Sequence, residues 1–284
     1  IRQDIRAGSG KQCNGERMKQ RIVTALILAI VAVCLILLAP TSLFASVLVV
    51  VWAVAVWEWT GLIGMRAAQV RIAAVLAVVL AQAGLWSVRD GSLWWVVLAA
   101  GVVWWWLALL WMRRYTFSAS PTSRNKAIKL LAGLCVLVPA WAALVQLHGE
   151  TPDGRLWTLF ALVLVWAADT FAYFAGSRFG RNKLAPRISP GKTLEGVWGA
   201  LIGTALVALI AGWWMQQRGA GLALLVGLAV LCVVFSIIGD LFESLMKRQA
   251  GVKDSGSLFP GHGGMLDRLD GVFAALPLFV LGKV

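Results

Sequence analysis

Residues 221–248 read GLALLVGLAVLCVVFSIIGDLFESLMKR. The run near 220–240 carries no charge before Asp240 and has the length of about 20 residues that a helix needs to cross a bilayer. Beyond it the character changes. Asp240, Glu243, Ser244 and Lys247 recur at i, i+3, i+4 and i+7, so a helix that continues carries them as one polar stripe leaving the membrane. A stripe of surface ion pairs gives the same spacing; the residues that follow favour a site.

From Ser244 to Asp270 the chain reads SLMKRQAGVKDSGSLFPGHGGMLDRLD, with Lys247, Arg248, Lys253, Arg268, Asp254, Asp267 and Asp270 gathered between two apolar runs. So many charges beside membrane-length segments are costly unless they serve chemistry at the membrane surface. Asp267 and Asp270 are three apart and share a face at the mouth of the last run. With Asp240 they place three carboxylates on two adjoining helix ends. Such a set suits a hard divalent ion, Mg2+, that keeps waters and bridges phosphates. Zinc would want thiolates and paired histidines. Between them lies PGHGG, Pro260–Gly264. Gly263 and Gly264 permit close backbone approach to a phosphate, and His262 can hydrogen-bond a phosphate or move a proton.

Working outward, the 284 residues are 60% hydrophobic and 14% charged, well below the roughly 25% charge of soluble domains. The pattern predicts an all-α, polytopic transmembrane helical bundle of about nine spans, near 22–39, 43–57, 72–88, 93–112, 128–147, 156–175, 196–215, 220–240 and 266–282. No soluble domain remains. Residues 18–284 read as one transmembrane catalytic domain, and 1–17, without apolar periodicity, as an upstream or added disordered segment. The net charge of +13 does not indicate nucleic acid. Of 26 Lys and Arg, 22 fall before the first span or in alternate loops, leaving Arg89, Arg155, Arg218 and Lys283 on the other side. By the positive-inside rule the N-terminus and the loops near 58–71, 113–127, 176–195 and 241–265 face the cytoplasm, against anionic membrane lipids. The 16 tryptophans cluster near span ends and read mostly as an interfacial belt. Cys13, Cys34, Cys135 and Cys232 show no paired spacing and read as small apolar residues rather than a disulfide or metal set.

Two further polar groups need explaining. Asp169 sits late in an otherwise apolar span, where an ionisable group is expected to face the bundle interior or a water-filled cavity. Tyr173 shares its face at i+4. The following loop, GSRFGRNKLAPRISPGKTLEG, holds Arg178, Arg181, Lys183, Arg187 and Lys192 among Gly and Pro. Ser189, Lys192 and Thr193 fall in an SPGKT turn before the next helix, an arrangement suited to an anion. It is not a P-loop, because Pro186 stands where that motif requires Gly.

The spacing S-x-x-K-R-x4-K-D-x5-P-x-H-G-G-x-x-D-R-x-D, carried by Ser244, Lys247, Arg248, Lys253, Asp254, Pro260, His262, Gly263, Gly264, Asp267, Arg268 and Asp270, resembles the signature of the phosphatidate cytidylyltransferase (CDP-diacylglycerol synthase) family at every fixed position. DTFAYFAGSRFG and SPGKTLEG are similar to that family too, and the resemblance runs from Met18 to the end. It implies an inner-membrane homodimer with a cytoplasm-facing polar funnel, joining CTP to phosphatidic acid with release of pyrophosphate. It implies Mg2+ on Asp240 and Asp267 with Asp270 close by, and a monovalent cation such as K+ beside it. Lys253, Asp254, His262 and Arg268 would then belong to the catalytic set. Asp169, Tyr173, Lys183, Ser189, Lys192, Thr193, Ser244, Lys247, Arg248, Gly263 and Gly264 would line the substrates. A CDP-alcohol phosphotransferase is the alternative enzyme, but its D-x2-D-G-x2-A-R motif is incomplete here: DRLDGVFAAL lacks the arginine.

Overall fold

The structure is a computed structural model that describes residues 26–27, 29–150, 152–259 and 263–283. The expectations for 1–17, Pro260 and His262 fall outside these residues. The described residues form nine helices and one small hairpin. They are α1 (Ala29–Leu38), α2 (Thr41–Leu62), α3 (Ala68–Ser87), α4 (Ser92–Arg113), α5 (Ser123–Gly149), α6 (Gly154–Phe179), β1 (Lys183–Ala185), β2 (Ser189–Thr193), α7 (Leu194–Trp214), α8 (Gly219–Ala250) and α9 (Leu266–Lys283).

The seven helices α2–α8 are long and apolar enough to cross a membrane. In hydrocarbon every backbone N–H and C=O must be satisfied within the segment, and apolar runs of this length meet that requirement as helices. The other two expected spans are α1, apolar over ten residues, and α9, whose 18 residues include Asp267, Arg268, Asp270 and Lys283. The chain is a membrane-embedded all-α bundle.

Side-chain contacts sort the loops onto two ends. At one end Lys126 Nζ donates to the Gly64 carbonyl at 3.0 Å, Gln249 Nε2 to Tyr115 at 2.7 Å, and Arg248 Nε to Ile188 at 3.3 Å. These bonds gather the α2–α3, α4–α5, α6–α7 and α8–α9 connections, the four loops that hold most of the basic residues. At the other end Arg155 donates to the Leu37 carbonyl at 3.0 Å and Lys283 pairs with Glu150.

Six of the 16 tryptophans belong to the core rather than to a belt. Trp52, Trp59, Trp94, Trp105, Trp111 and Trp141 are buried. Phe242 of α8 stands at the centre of one cluster, with the rings of Trp59, Trp104, Trp105 and Trp111 at 6.3, 5.9, 6.0 and 5.6 Å. Two buried indoles find carbonyls across helices, Trp52 Nε1 on Leu137 at 2.6 Å and Trp59 Nε1 on Lys129 at 2.9 Å. Packing between helices, where large apolar area is available, has claimed rings that a span-end count assigns to the interface.

At 1.5 Å per residue the 32 residues of α8 extend about 48 Å, well beyond a hydrocarbon core of about 30 Å. Its last turns therefore rise clear of the apolar layer before Gly251, at φ 73°, closes the helix in the left-handed conformation that suits glycine.

Candidate active site

Three helices and the hairpin enclose a cleft of about 430 Å³ at the end that carries the basic loops. α6 contributes Asp169, Tyr173 and Gly176, β2 contributes Lys192 and Thr193, α7 contributes Val197, and α8 contributes Ser236, Ile237 and Asp240. Its walls are apolar and its polar groups converge: Lys192 pairs with Asp240, whose Oδ1 also accepts from Ser244 Oγ at 3.3 Å. Asp169, exposed to the cleft, is within electrostatic reach of Asp240, Lys192 and Arg268.

Asp270 joins this group from α9, within electrostatic reach of Asp240, Glu243 and Asp169. Close packing of α8 on α9 makes the approach possible. A Cβ on Gly239 would overlap the Asp270 carbonyl oxygen, and one on Gly271 would overlap Ser236 Oγ. Two glycines thus bring the helix that carries Asp240 against the part of α9 that carries Asp270.

Asp267 does not join them. Its Oδ1 takes Lys247 Nζ at 2.6 Å, and its Oδ2 takes the Ser255 amide at 2.9 Å, Ser255 Oγ at 2.9 Å and the Gly264 amide at 2.8 Å. Lys247, itself buried, is shared with Glu243 at 2.9 Å. These residues fasten the 251–265 loop to α8 and α9 rather than lining the cleft. Gly263, at φ 81°, receives the Phe259 amide on its carbonyl at 3.0 Å.

The hairpin is held as firmly. Lys183 pairs with Thr193 and Ala185 with Ser189 across an antiparallel register with a bulge. Glu195 accepts from the Arg181 amide at 3.0 Å and from Asn182 Nδ2 at 2.8 Å. Thr193 Oγ1 caps α7 by accepting from Gly196 N at 3.1 Å, the role a threonine takes at a helix start. Lys183 is exposed on β1 and Ser189 half-buried on β2. Arg248 spends its guanidinium on the Ile188 carbonyl and, at 3.4 Å, that of Val252, and Lys253 and Asp254 are exposed in the loop.

Sequence reasoning passed over Glu58. This α2 carboxylate is 7% exposed. It accepts from the Met265 amide at 2.9 Å, the Leu266 amide at 2.9 Å and Ser255 Oγ at 3.1 Å. It therefore caps α9 from about 200 positions away in sequence, as an anion favours a helix N-terminus. A Cβ on Gly256 or Gly264 would overlap its oxygens, so both glycines are fitted to it. A signal existed: Glu58 is the sole acid between Glu16 and Asp90.

Among the described residues no three His, Cys, Asp or Glu side chains stand close enough to form a ready metal cage. Magnesium does not require one, since it binds through one or two carboxylates plus substrate phosphates and keeps several waters. Asp240 and Asp270, with Asp169 across the cleft, fit that pattern.

The cytidylyltransferase family matches residues 19–282 of the chain. A phosphatidate cytidylyltransferase of Haemophilus influenzae is 37% identical over 282 residues, covering 92% of this chain and 97% of its own length. One of Pseudomonas aeruginosa is 41% identical over 262 residues, covering 92% and 95%. One of Synechocystis is 47% identical over 138 residues, 46% of this chain and 44% of that protein.

Proposed function

This chain belongs to the cytidylyltransferase family, and we propose on that premise that it condenses CTP with phosphatidic acid to give CDP-diacylglycerol and pyrophosphate. The observation that carries the reading is the cleft between α6, α7 and α8. Its apolar walls meet a polar floor of Asp169, Lys192 and Asp240, so an acyl chain and a phosphorylated head group can occupy one place. The arrangement of 22 of 26 basic residues before the first span and in alternate loops supports placing this end at the cytoplasmic face of an inner membrane, where CTP is available. The homodimer rests on the family resemblance alone.

In the reaction a phosphate oxygen of phosphatidic acid attacks the α-phosphorus of CTP, the bond to the β-phosphate breaks, and pyrophosphate departs. A phosphate monoester with a second pKa of about 6 is largely ionised at neutral pH, so no strong base is needed. The protein's task is to bring two polyanions together and hold the attacking and leaving oxygens in line. Lys192 and Arg268 offer positive charge beside Asp169 and Asp240, and Lys253 offers more from the loop. Magnesium held by Asp240 and Asp270 would supply neutralisation of the phosphate oxygens. Asp267, Lys247, Ser255 and Glu58 position the loop that bears Gly263 and Gly264, leaving their own charges engaged with one another.

The test is purified protein in detergent with phosphatidic acid, labelled CTP and Mg2+, scored for labelled lipid. Label transferred to lipid in the wild type and lost in Asp240→Asn supports the reading. Label that remains in water with all components present sinks it.

A further inference from the structure

A second cavity, about 640 Å³, opens at the same end of the bundle. The α2–α3 turn, the start of α5, the end of α8 and the loop itself surround it, and it shares no lining residue with the first cleft. Its polar lining is dominated by Arg66, Arg71, Lys126 and Lys129. Arg71 is engaged by the Trp57 carbonyl at 2.6 Å and the Trp57 ring, and Lys126 by Gly64.

Lys129 is different. It is 7% exposed, and its ammonium has no hydrogen bond or ion pair with another described residue. The side chain is packed away while its ammonium faces the cavity, where an anion would find a cation not already engaged by the protein. Gln249 adds a second unsatisfied group: its amide N–H donates to Tyr115 and Phe117, leaving a buried Oε1 without a donor among the described residues.

The cavity runs into an apolar one of about 690 Å³, with Gly64, Met65, Arg66 and Lys126 common to both and Val70, Ala127 and Leu130 continuing outward. There Val70 is exposed on the bundle surface, at 49%. Cations inside and an apolar groove leading to the bilayer face match a molecule with a phosphate at one end and acyl chains at the other.

We propose that this second cavity seats an anionic phospholipid that is not the one being converted, its phosphate on Lys129 and Arg66 and its chains along Val70, Ala127 and Leu130. Asp254 and Ser255 form part of its wall, and Ser255 holds both Asp267 and Glu58. A lipid seated there steadies the segment that carries Asp254 and Ser255. This site does not depend on which reaction the first cleft performs.

The full-length protein in detergent is titrated with phosphatidylglycerol, phosphatidylcholine or inorganic phosphate, following bound lipid by native mass spectrometry and the unfolding midpoint by a thermal scan. The wild type should retain phosphatidylglycerol in preference to phosphatidylcholine and gain thermal stability from it. Lys129→Met and Arg66→Ala should each weaken retention about tenfold or more, the scale of one charge-assisted contact. Arg66 lies in an exposed turn, so its variant stays informative if the buried Lys129→Met chain folds poorly. Retention unchanged in Arg66→Ala and in folded Lys129→Met overturns the assignment. So does equal retention of phosphatidylcholine, or displacement of the lipid by millimolar inorganic phosphate, which would mark a site for free phosphate.

Discussion

Asp240 and Asp267 carry the same charge on two adjoining helices, α8 and α9, yet their surroundings give them different work. Asp240 faces the cleft with Lys192 and Ser244 as partners, whereas both oxygens of Asp267 are saturated by Lys247, Ser255 and Gly264. Asp240→Asn should lower cytidylyl transfer by about a hundredfold or more, the scale on which loss of one charge-stabilising group acts, with the thermal midpoint nearly unchanged. Asp267→Asn should lose activity and thermal stability together, because an amide puts N–H groups where donors already point and leaves Lys247 under-compensated. Equal midpoints in the two variants would contradict this division of roles. Glu58→Gln tests the cap on α9. The new amide N–H group meets the Met265 amide at one oxygen position or the Leu266 amide and Ser255 Oγ at the other, a mismatch that should cost about 1–3 kcal/mol, read as a lower midpoint, and should reduce transfer although Glu58 lies outside the cleft. A variant indistinguishable from wild type in both would remove Glu58 from the account.

Elements meet here through their glycines. α8 can bring Asp240 to Asp270 only because Gly239 lets the Asp270 carbonyl pass where a Cβ would stand. Gly239→Ala should therefore force α8 and α9 apart, with an overpacking cost of about 1–3 kcal/mol and loss of most transfer activity. Gly227, on the same helix, has nothing within 4 Å of an added Cβ, and Gly227→Ala should leave activity intact and stability equal or slightly raised. Measuring both variants separates local crowding from a general intolerance of α8 to substitution; matching losses would defeat the crowding argument. Similar fitting joins α4 to α5, where a Cβ on Gly101 would overlap Pro139.

For the whole molecule, the sorting of basic loops onto one end makes orientation measurable. In a cysteine-free background, Ser120→Cys and Gln216→Cys should react with a membrane-impermeant maleimide from opposite sides of sealed membrane vesicles that contain the protein. Labelling of both from one side would overturn the topology. The bundle itself is held by buried apolar and aromatic packing around Phe242 and by helix hydrogen bonds. Chelation of Mg2+ should therefore abolish transfer while helical circular dichroism is unchanged, and a parallel loss of helix signal would show the metal to be structural.

Sequence alone settled what depends on local pattern. Apolar runs of membrane length dictate helices, because hydrocarbon offers the backbone no other partner. Alternating loop charge divides the loops between two ends, and the fixed spacing from Ser244 to Asp270 marks the family to which the chain belongs. The assignment of each charged group waited for the tertiary structure. Lys192 meets Asp240 across a hairpin, Asp169 enters from a third helix, Glu58 reaches the loop from α2, and Lys247 turns to Asp267 rather than to the cleft. The side a carboxylate faces, and the partner that neutralises it, depend on which helices cross and how closely, and those crossings are set by packing between residues far apart in the chain.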